Sequence, residues 1–282
     1  MTSREPGSEH PSASMILRLG YDIQFEMPSA VAMVALLNVH PSRAADLRDD
    51  DELRIEPASP TESYIDTFGN RCIRFVAQQG LIRLSNSTLV YDSGLPDPVN
   101  LDARQVPVQE LPHDTLRYLL NSRYCEVDRF SAIALELFGA TAPGWSRVQA
   151  VCEWVHSRVI FGYQYARPTK SALDVFTERF GVCRDFQHLA VTMCRALNIP
   201  ARYATGYLGD IGVPASSDPM DFSAWFEAYL EDRWWTFDAR HNHPRIGRVL
   251  IATGRDASDV AMTTSFGMAN LKHFSVVTEE VP

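Results

Sequence analysis

The segment Gly181-Val182-Cys183-Arg184-Asp185-Phe186-Gln187-His188-Leu189-Ala190-Val191-Thr192-Met193-Cys194-Arg195-Ala196-Leu197-Asn198-Ile199-Pro200 reads as one helix, opened after Gly181 and closed by Asn198 with Pro200 beyond it. At about 100° per residue counted from Cys183, Phe186, Leu189, Ala190, Met193, Cys194 and Leu197 fall on one stripe, which includes Cys183. Cys183 also occupies the first turn, where free backbone N–H groups and the helix dipole favour a thiolate and are expected to lower its pKa. That environment suits a nucleophile; a small buried hydrophobe is the competing reading. Cys194, in the helix interior, is expected to be packing, and Cys72, Cys125 and Cys152 likewise. His188 stands five residues on, about 140° around the helix, so it is expected to be solvated or supporting rather than the base.

Downstream, Ala201 to Leu208 reads as a strand and Gly209 to Asp221 as a loop rich in Gly, Pro, Ser and Asp. Phe222-Ser223-Ala224-Trp225-Phe226-Glu227-Ala228-Tyr229-Leu230 then alternates, with Phe222, Ala224, Phe226, Ala228 and Leu230 on one apolar face. A two-residue turn at Glu231-Asp232 would set Trp225 opposite Asp238 and Ser223 opposite Arg240, so that Ser223, Trp225, Trp234, Thr236 and Asp238 share a face. A carboxylate there is suited to orienting an imidazole; a turn residue at a strand end is the alternative. Trp225 and Trp234 are candidates for an apolar substrate wall, although core packing would explain them as well.

Upstream, helical spacing recurs over Asp114–Tyr124, Asp128–Phe138, Trp145–Arg158 and Ser171–Phe180, with Gly139 a plausible stop. Before that the period is two. Ile16–Phe25, Arg71–Ala77 and Leu81–Ser87 read as strands, giving a β-rich N-terminal domain over 15–107 and a second domain over 108–282 with a C-terminal strand. Residues 1–14 are polar and rich in Pro and Gly, a composition expected to be a disordered leader, with Met15 a candidate natural start. Asp49-Asp50-Asp51-Glu52 reads as a solvated acidic loop.

The whole chain has 282 residues, 45% hydrophobic and 22% charged, with a formal charge of −9. This composition is that of a globular protein and leaves no basic surplus for nucleic acid. No apolar run approaches the roughly 18 residues of a membrane helix, and no membrane association is expected. Five cysteines at irregular spacings, with no CxxC pair, suggest thiols in a reducing compartment, hence the cytoplasm. No metal or other cofactor is expected: no EF-hand spacing occurs, and His241 with His243 lacks a recognisable third ligand.

The motifs Gly181-Val182-Cys183-Arg184-Asp185-Phe186, Asn198-Ile199-Pro200-Ala201-Arg202-Tyr203-Ala204-Thr205-Gly206-Tyr207, Ala224-Trp225-Phe226-Glu227 and Trp235-Thr236-Phe237-Asp238 resemble the bacterial transglutaminase-like proteins, with Gly254-Arg255-Asp256 extending the likeness. The resemblance implies an α+β fold: a papain-like transglutaminase core, with the cysteine helix packed on an antiparallel sheet, preceded by a β-rich N-terminal domain. It implies a thiol enzyme that acts on amide bonds of a peptide or protein, by hydrolysis or acyl transfer, with Cys183 as nucleophile and Asp238 as the orienting carboxylate. The family pattern places histidine immediately before the Ala-Trp pair, where this chain has Ser223. A hydroxyl is no base near pH 7. Three accounts follow: another histidine serves, His241 and His243 being nearest to Asp238 and His156 and His273 more remote; the cleft only binds a peptide or amide; or a thiolate formed unaided sustains modest activity.

Overall fold

The computed structural model describes residues 14–216 and 219–281. Of the expected leader, 1–13 therefore lie outside the described residues. Six strands come first: β1 (Met15–Met27), β2 (Val31–Ala35), β3 (Arg54–Glu56), β4 (Thr61–Ile65), β5 (Arg71–Ala77) and β6 (Gly80–Asp92). Their alternating burial follows the period of two seen in the sequence, for instance Leu17, Leu19, Tyr21, Ile23 and Phe25 inward along β1. Asp51 departs from the solvated-loop reading. It is buried, and its carboxylate accepts the Val39 N–H at 2.7 Å and the Asn86 amide at 2.6 Å, bonds that counter only part of a desolvation which on balance raises the carboxyl.

The helical half holds α1 (Ser131–Phe138), α2 (Trp145–Arg158), the short strand β7 (Ile160–Phe161), α3 (Ala172–Glu178), β8 (Phe180–Gly181) and α4 (Cys183–Ala196). Three of the expected helices are shorter than their periodicity. Asp114–Tyr124 becomes a 3-10 helix over His113–Leu119, Asp128–Phe138 splits into a 3-10 turn and α1, and Ser171 caps α3 by accepting the Asp174 N–H. Strands β9 (Ala201–Leu208), β10 (Ser223–Leu230), β11 (Arg233–Phe237), β12 (Arg248–Gly254), β13 (Thr263–Ser265) and β14 (Asn270–Val281) complete the chain.

Three antiparallel four-stranded sheets result, ordered β14-β1-β6-β3, β13-β2-β5-β4 and β11-β10-β9-β12. The last strands therefore return to the first: β14 pairs along β1 from Ile16–Val281 to Glu26–Asn270, and β13 pairs with β2. The buried side chains of the first two sheets form one cluster that continues into Tyr203, Tyr207, Val249 and Ile251 of the third. A second cluster joins α1–α4 to Phe226, Ala228, Leu230 and Phe237. This is the mixed α+β architecture the resemblance implies, with α4 lying between β9 and β10 on one side and α1–α3 on the other. Among the described residues no helix is long and apolar enough to cross a membrane.

The position of α4 explains a departure from the one-stripe reading. Every residue from Asp185 to Arg195 is buried, the polar face included. Those polar groups are paired within the fold: Arg195 donates to the Ala201 and Leu120 carbonyls, and Thr192 to that of His188. His188 is wholly buried rather than solvated, stacked on Tyr124 and tilted against Tyr203, with Nε2 accepting the Ala257 N–H at 3.1 Å. The helix ends as expected, with Asn198 at φ 61° and the Ile199 N–H reaching back to the Cys194 carbonyl.

Candidate active site

Two local devices set the first residues of the site. At the start of α4, Asp185 turns back to accept the Val182 N–H at 3.0 Å, which fixes Cys183 in the first turn. Gly181 permits this, since a Cβ there would stand 2.6 Å from the Asp185 carboxylate. At the end of β11, the pairing Phe226–Phe237 through Leu230–Arg233 confirms the two-residue turn and the expected register. The ladder stops at Phe237. Asp238 begins a turn instead, with Oδ1 accepting the N–H groups of Arg240 (2.9 Å) and His241 (3.1 Å), the self-capping that aspartate favours.

That turn folds His241 back onto Asp238, with Nδ1 2.8 Å from Oδ2. Arg248 donates to the same oxygen at 2.9 Å and reaches Asp97 with Nε at 2.8 Å. Gln187, one turn along α4 from Cys183, donates to Oδ1 at 3.0 Å and accepts the Ala239 N–H, tying the helix to the turn. Burial alone would raise the Asp238 carboxyl. The Arg248 charge and the His241 hydrogen bond overcome it and hold the group well below the usual carboxylate range. With Nδ1 on a carboxylate, His241 keeps Nε2 as its second nitrogen, the arrangement in which an imidazole can take and return a proton.

Cys183, Ser223 and His241 line one cavity of about 120 Å³, with Tyr163, Asp221, Arg240 and Arg245 in the same wall. Among the described residues no hydrogen bond joins the thiol to an imidazole; the two line the same space. Ser223 is buried and its Oγ has no hydrogen-bond partner. The thiol differs from the sequence expectation. Burial pushes it up to about 11, against the opposing pull of Arg240 and the Arg184 N–H, because desolvating a thiolate outweighs one helix terminus. Cys183 also lines a second cavity, of about 720 Å³, with Val182, Arg184, Tyr203, Asp221, Phe222 and Phe274 among its walls.

The remaining candidates are dispersed. His243 faces a separate cavity of about 620 Å³ with Trp145, Gln149 and Phe237. His156 is exposed and bonds the Arg240 carbonyl, and His273 is exposed on β14. Trp225 is 2% exposed beneath Arg248, and Trp234 packs with Tyr118, Tyr229 and Arg202; neither lines a cavity beside the thiol. All five cysteines are free, and those at 72, 125, 152 and 194 are buried. Sequence reasoning missed Arg248, Asp97 and Gln187. Only Gln187 carried a signal, its four-residue spacing from Cys183 on one helix face.

Residues 131–239, which contain the cysteine helix and Asp238, match the Transglutaminase-like superfamily. The chain belongs to this superfamily. A solved structure from Cytophaga hutchinsonii, described as a candidate cysteine protease, is similar over the β-rich part as well. It is 31% identical, has a TM-score of 0.83, and the match covers 96% of this chain and 92% of that one. An uncharacterised protein of Mycobacterium leprae (strain TN) is 30% identical over 118 residues, 40% of this chain, which thus spans less than half (42%) of that relative's length. The periplasmic domain of TgpA from Pseudomonas aeruginosa overlays at a TM-score of 0.41 with 16% identity, over 79% of this chain and 90% of that one. The family-model match and the Cytophaga hutchinsonii structure together support a thiol-enzyme-like fold for the chain.

Proposed function

We propose that this transglutaminase-like chain is a cysteine-dependent enzyme acting on amide bonds of a peptide or protein, by hydrolysis or acyl transfer. Cys183 is the nucleophile, His241 the base and acid, and Asp238 the carboxylate that orients the imidazole. The observation carrying this reading is the 2.8 Å Asp238–His241 bond on the wall of the cavity that holds Cys183. The imidazole then comes from the turn after β11 rather than from the family's position at Ser223. The likeness to a candidate cysteine protease supports the thiol chemistry, and five free thiols favour a reducing, cytoplasmic setting.

The resting thiol is protonated. His241 takes its proton across the cavity, directly or through one water, as the sulfur attacks the amide carbonyl. The tetrahedral adduct collapses, the C–N bond breaks, and the imidazolium returns its proton to the leaving amine. A thioester on Cys183 remains. Water or a second amine attacks it with the same imidazole as base, and the thiol is regenerated. Asp238 stays ionised throughout and stabilises the imidazolium.

The test is Cys183 alkylation by iodoacetamide against pH, in the native chain and in His241→Ala. The native thiol is expected to alkylate well below about pH 8, an advantage that His241→Ala removes. One thiol titration above pH 8.5 in both chains would overturn the enzyme and favour a cleft that only binds amides. In that case activity would appear in Ser223→His alone.

A further inference from the structure

Cys183 stands between two cavities of unequal size, and the imidazole belongs to only one of them. His241 lines the space of about 120 Å³ and not the one of about 720 Å³. A general acid must reach the nitrogen that departs. The leaving side of the amide therefore sits in the small cavity and the acyl side in the large one. At about 120 Å³ against about 720 Å³, the small cavity offers far less room than the large one, which favours a short leaving group over a long peptide strand.

The wall of that cavity is built with unfilled donors. The Arg240 guanidinium lies 3.8 Å from the Phe161 ring centre and, among the described residues, has no anionic partner within ion-pair distance. Arg245 is 5% exposed; one of its guanidinium nitrogens donates to the Gly209 carbonyl and stands 3.9 Å from Asp210, while its buried Nε has no partner. Ser223 Oγ is likewise buried and unpartnered. Leaving buried donors unmade costs about 1–3 kcal/mol each, which a ligand with acceptor oxygens would recover. Asp221 is the one acidic group that lines both cavities, and among the described residues no side chain donates to it or pairs with it. It borders both spaces beside Cys183.

We propose that the small cavity receives a single amino-acid unit with a free α-carboxylate, so that the enzyme releases, or joins on, one residue at the carboxyl end of a peptide. Arg240 receives the carboxylate, with the Arg245 Nε and Ser223 Oγ donors beside it. Asp221 receives the amino group as it becomes an ammonium. This rests on the Cys183–His241 reading. In the releasing step the C–N bond breaks, the sulfur holds the acyl group until water hydrolyses the thioester, and the nitrogen takes one proton from His241 and a second from water as it becomes the ammonium. In the joining step the amino group of a free amino acid, having lost one proton to water, attacks the thioester left by an earlier release and gives a second proton to His241, and the sulfur departs as the thiol.

The experiment is protection of Cys183 from iodoacetamide by L-alanine and by L-alaninamide, in the full chain and in Arg240→Gln. L-Alanine is expected to slow alkylation about tenfold at saturation, alaninamide to have little effect, and Arg240→Gln to remove the difference. Equal protection by both compounds, or by neither, overturns the proposal. A second arm follows by mass an acetylated peptide with a free carboxyl end and the same peptide carboxamidated. Loss of one residue from the free acid only is expected, and cleavage of both forms alike overturns it. Protection by alanine with no His241-dependent turnover would sink the catalytic reading while leaving the carboxylate site standing.

Discussion

His241 Nδ1 lies 2.8 Å from Asp238 Oδ2, three residues apart on a turn that Asp238 itself caps. The bond exists because β11 ends at Phe237, one residue before the carboxylate. Had the strand run on, residues 239 and 241 would have pointed to the face opposite Asp238.

This geometry separates the two neighbouring histidines. His241→Ala is expected to lower kcat/KM on a peptide amide by about 10² to 10⁴, the usual cost of losing a general acid–base. His243→Ala, facing the other cavity, is expected to stay near wild type. Steady-state kinetics on both variants check this, and equal losses would sink the assignment of His241.

Arg248 bridges two carboxylates, Asp97 and Asp238, while itself nearly buried. Arg248→Met would leave the Asp238 charge without its main counter-ion. Removing one partner of a buried pair typically costs about 3–5 kcal/mol, and a loss of that order is expected in urea unfolding. The same variant should lift the Asp238 carboxyl toward its ordinary range, observable by carboxyl infrared titration.

Gly206 is needed for the close approach of β12 to β9. A Cβ there would lie 2.1 Å from the Val249 carbonyl oxygen and 2.9 Å from the Trp225 ring. Backbone cannot yield as a side-chain tip can, so Gly206→Ala is expected to cost about 3 kcal/mol, the upper end of overpacking effects. A thermal melt reads it; a variant within about 0.5 kcal/mol of wild type would contradict the packing.

His188 predicts an acid sensitivity. Burial holds its imidazole down to about 3, the nearby Asp256 opposing and the cations Arg184 and Arg195 reinforcing the shift. The unfolded chain binds this proton from about pH 6.5 downward while the folded chain does not. Stability is therefore full above that value and falls as pH drops from about 6.5 toward 3. His188→Phe, which keeps a ring between Tyr124 and Tyr203, should flatten the urea midpoint over that window. A slope unchanged from wild type would assign the proton uptake elsewhere.

The strands of the β-rich part and the helices α2 and α4 were legible because their burial periods of 2 and 3.6 are written in consecutive residues. The hairpin register was legible for the same reason: a two-residue turn leaves one way to pair Tyr229 with Trp234. Asp51, His188 and the polar face of α4 misled, because a polar residue reads as solvated until its partners, distant in the chain, are known.

By itself, the sequence determined the element types, the superfamily motifs and the place of Cys183 in the first turn of its helix, all of which are local or nearly so. Only the tertiary structure decided that His241 rather than His243 turns toward the thiol's cavity, that Arg248 and Gln187 anchor Asp238, and that the thiol is held protonated. They depend on what burial brings together from separate elements, 51 residues apart for Gln187 and Asp238 and 10 for Arg248 and Asp238, or on where a strand stops. Desolvation and pairing are properties of the packed molecule, and no period in the chain encodes them.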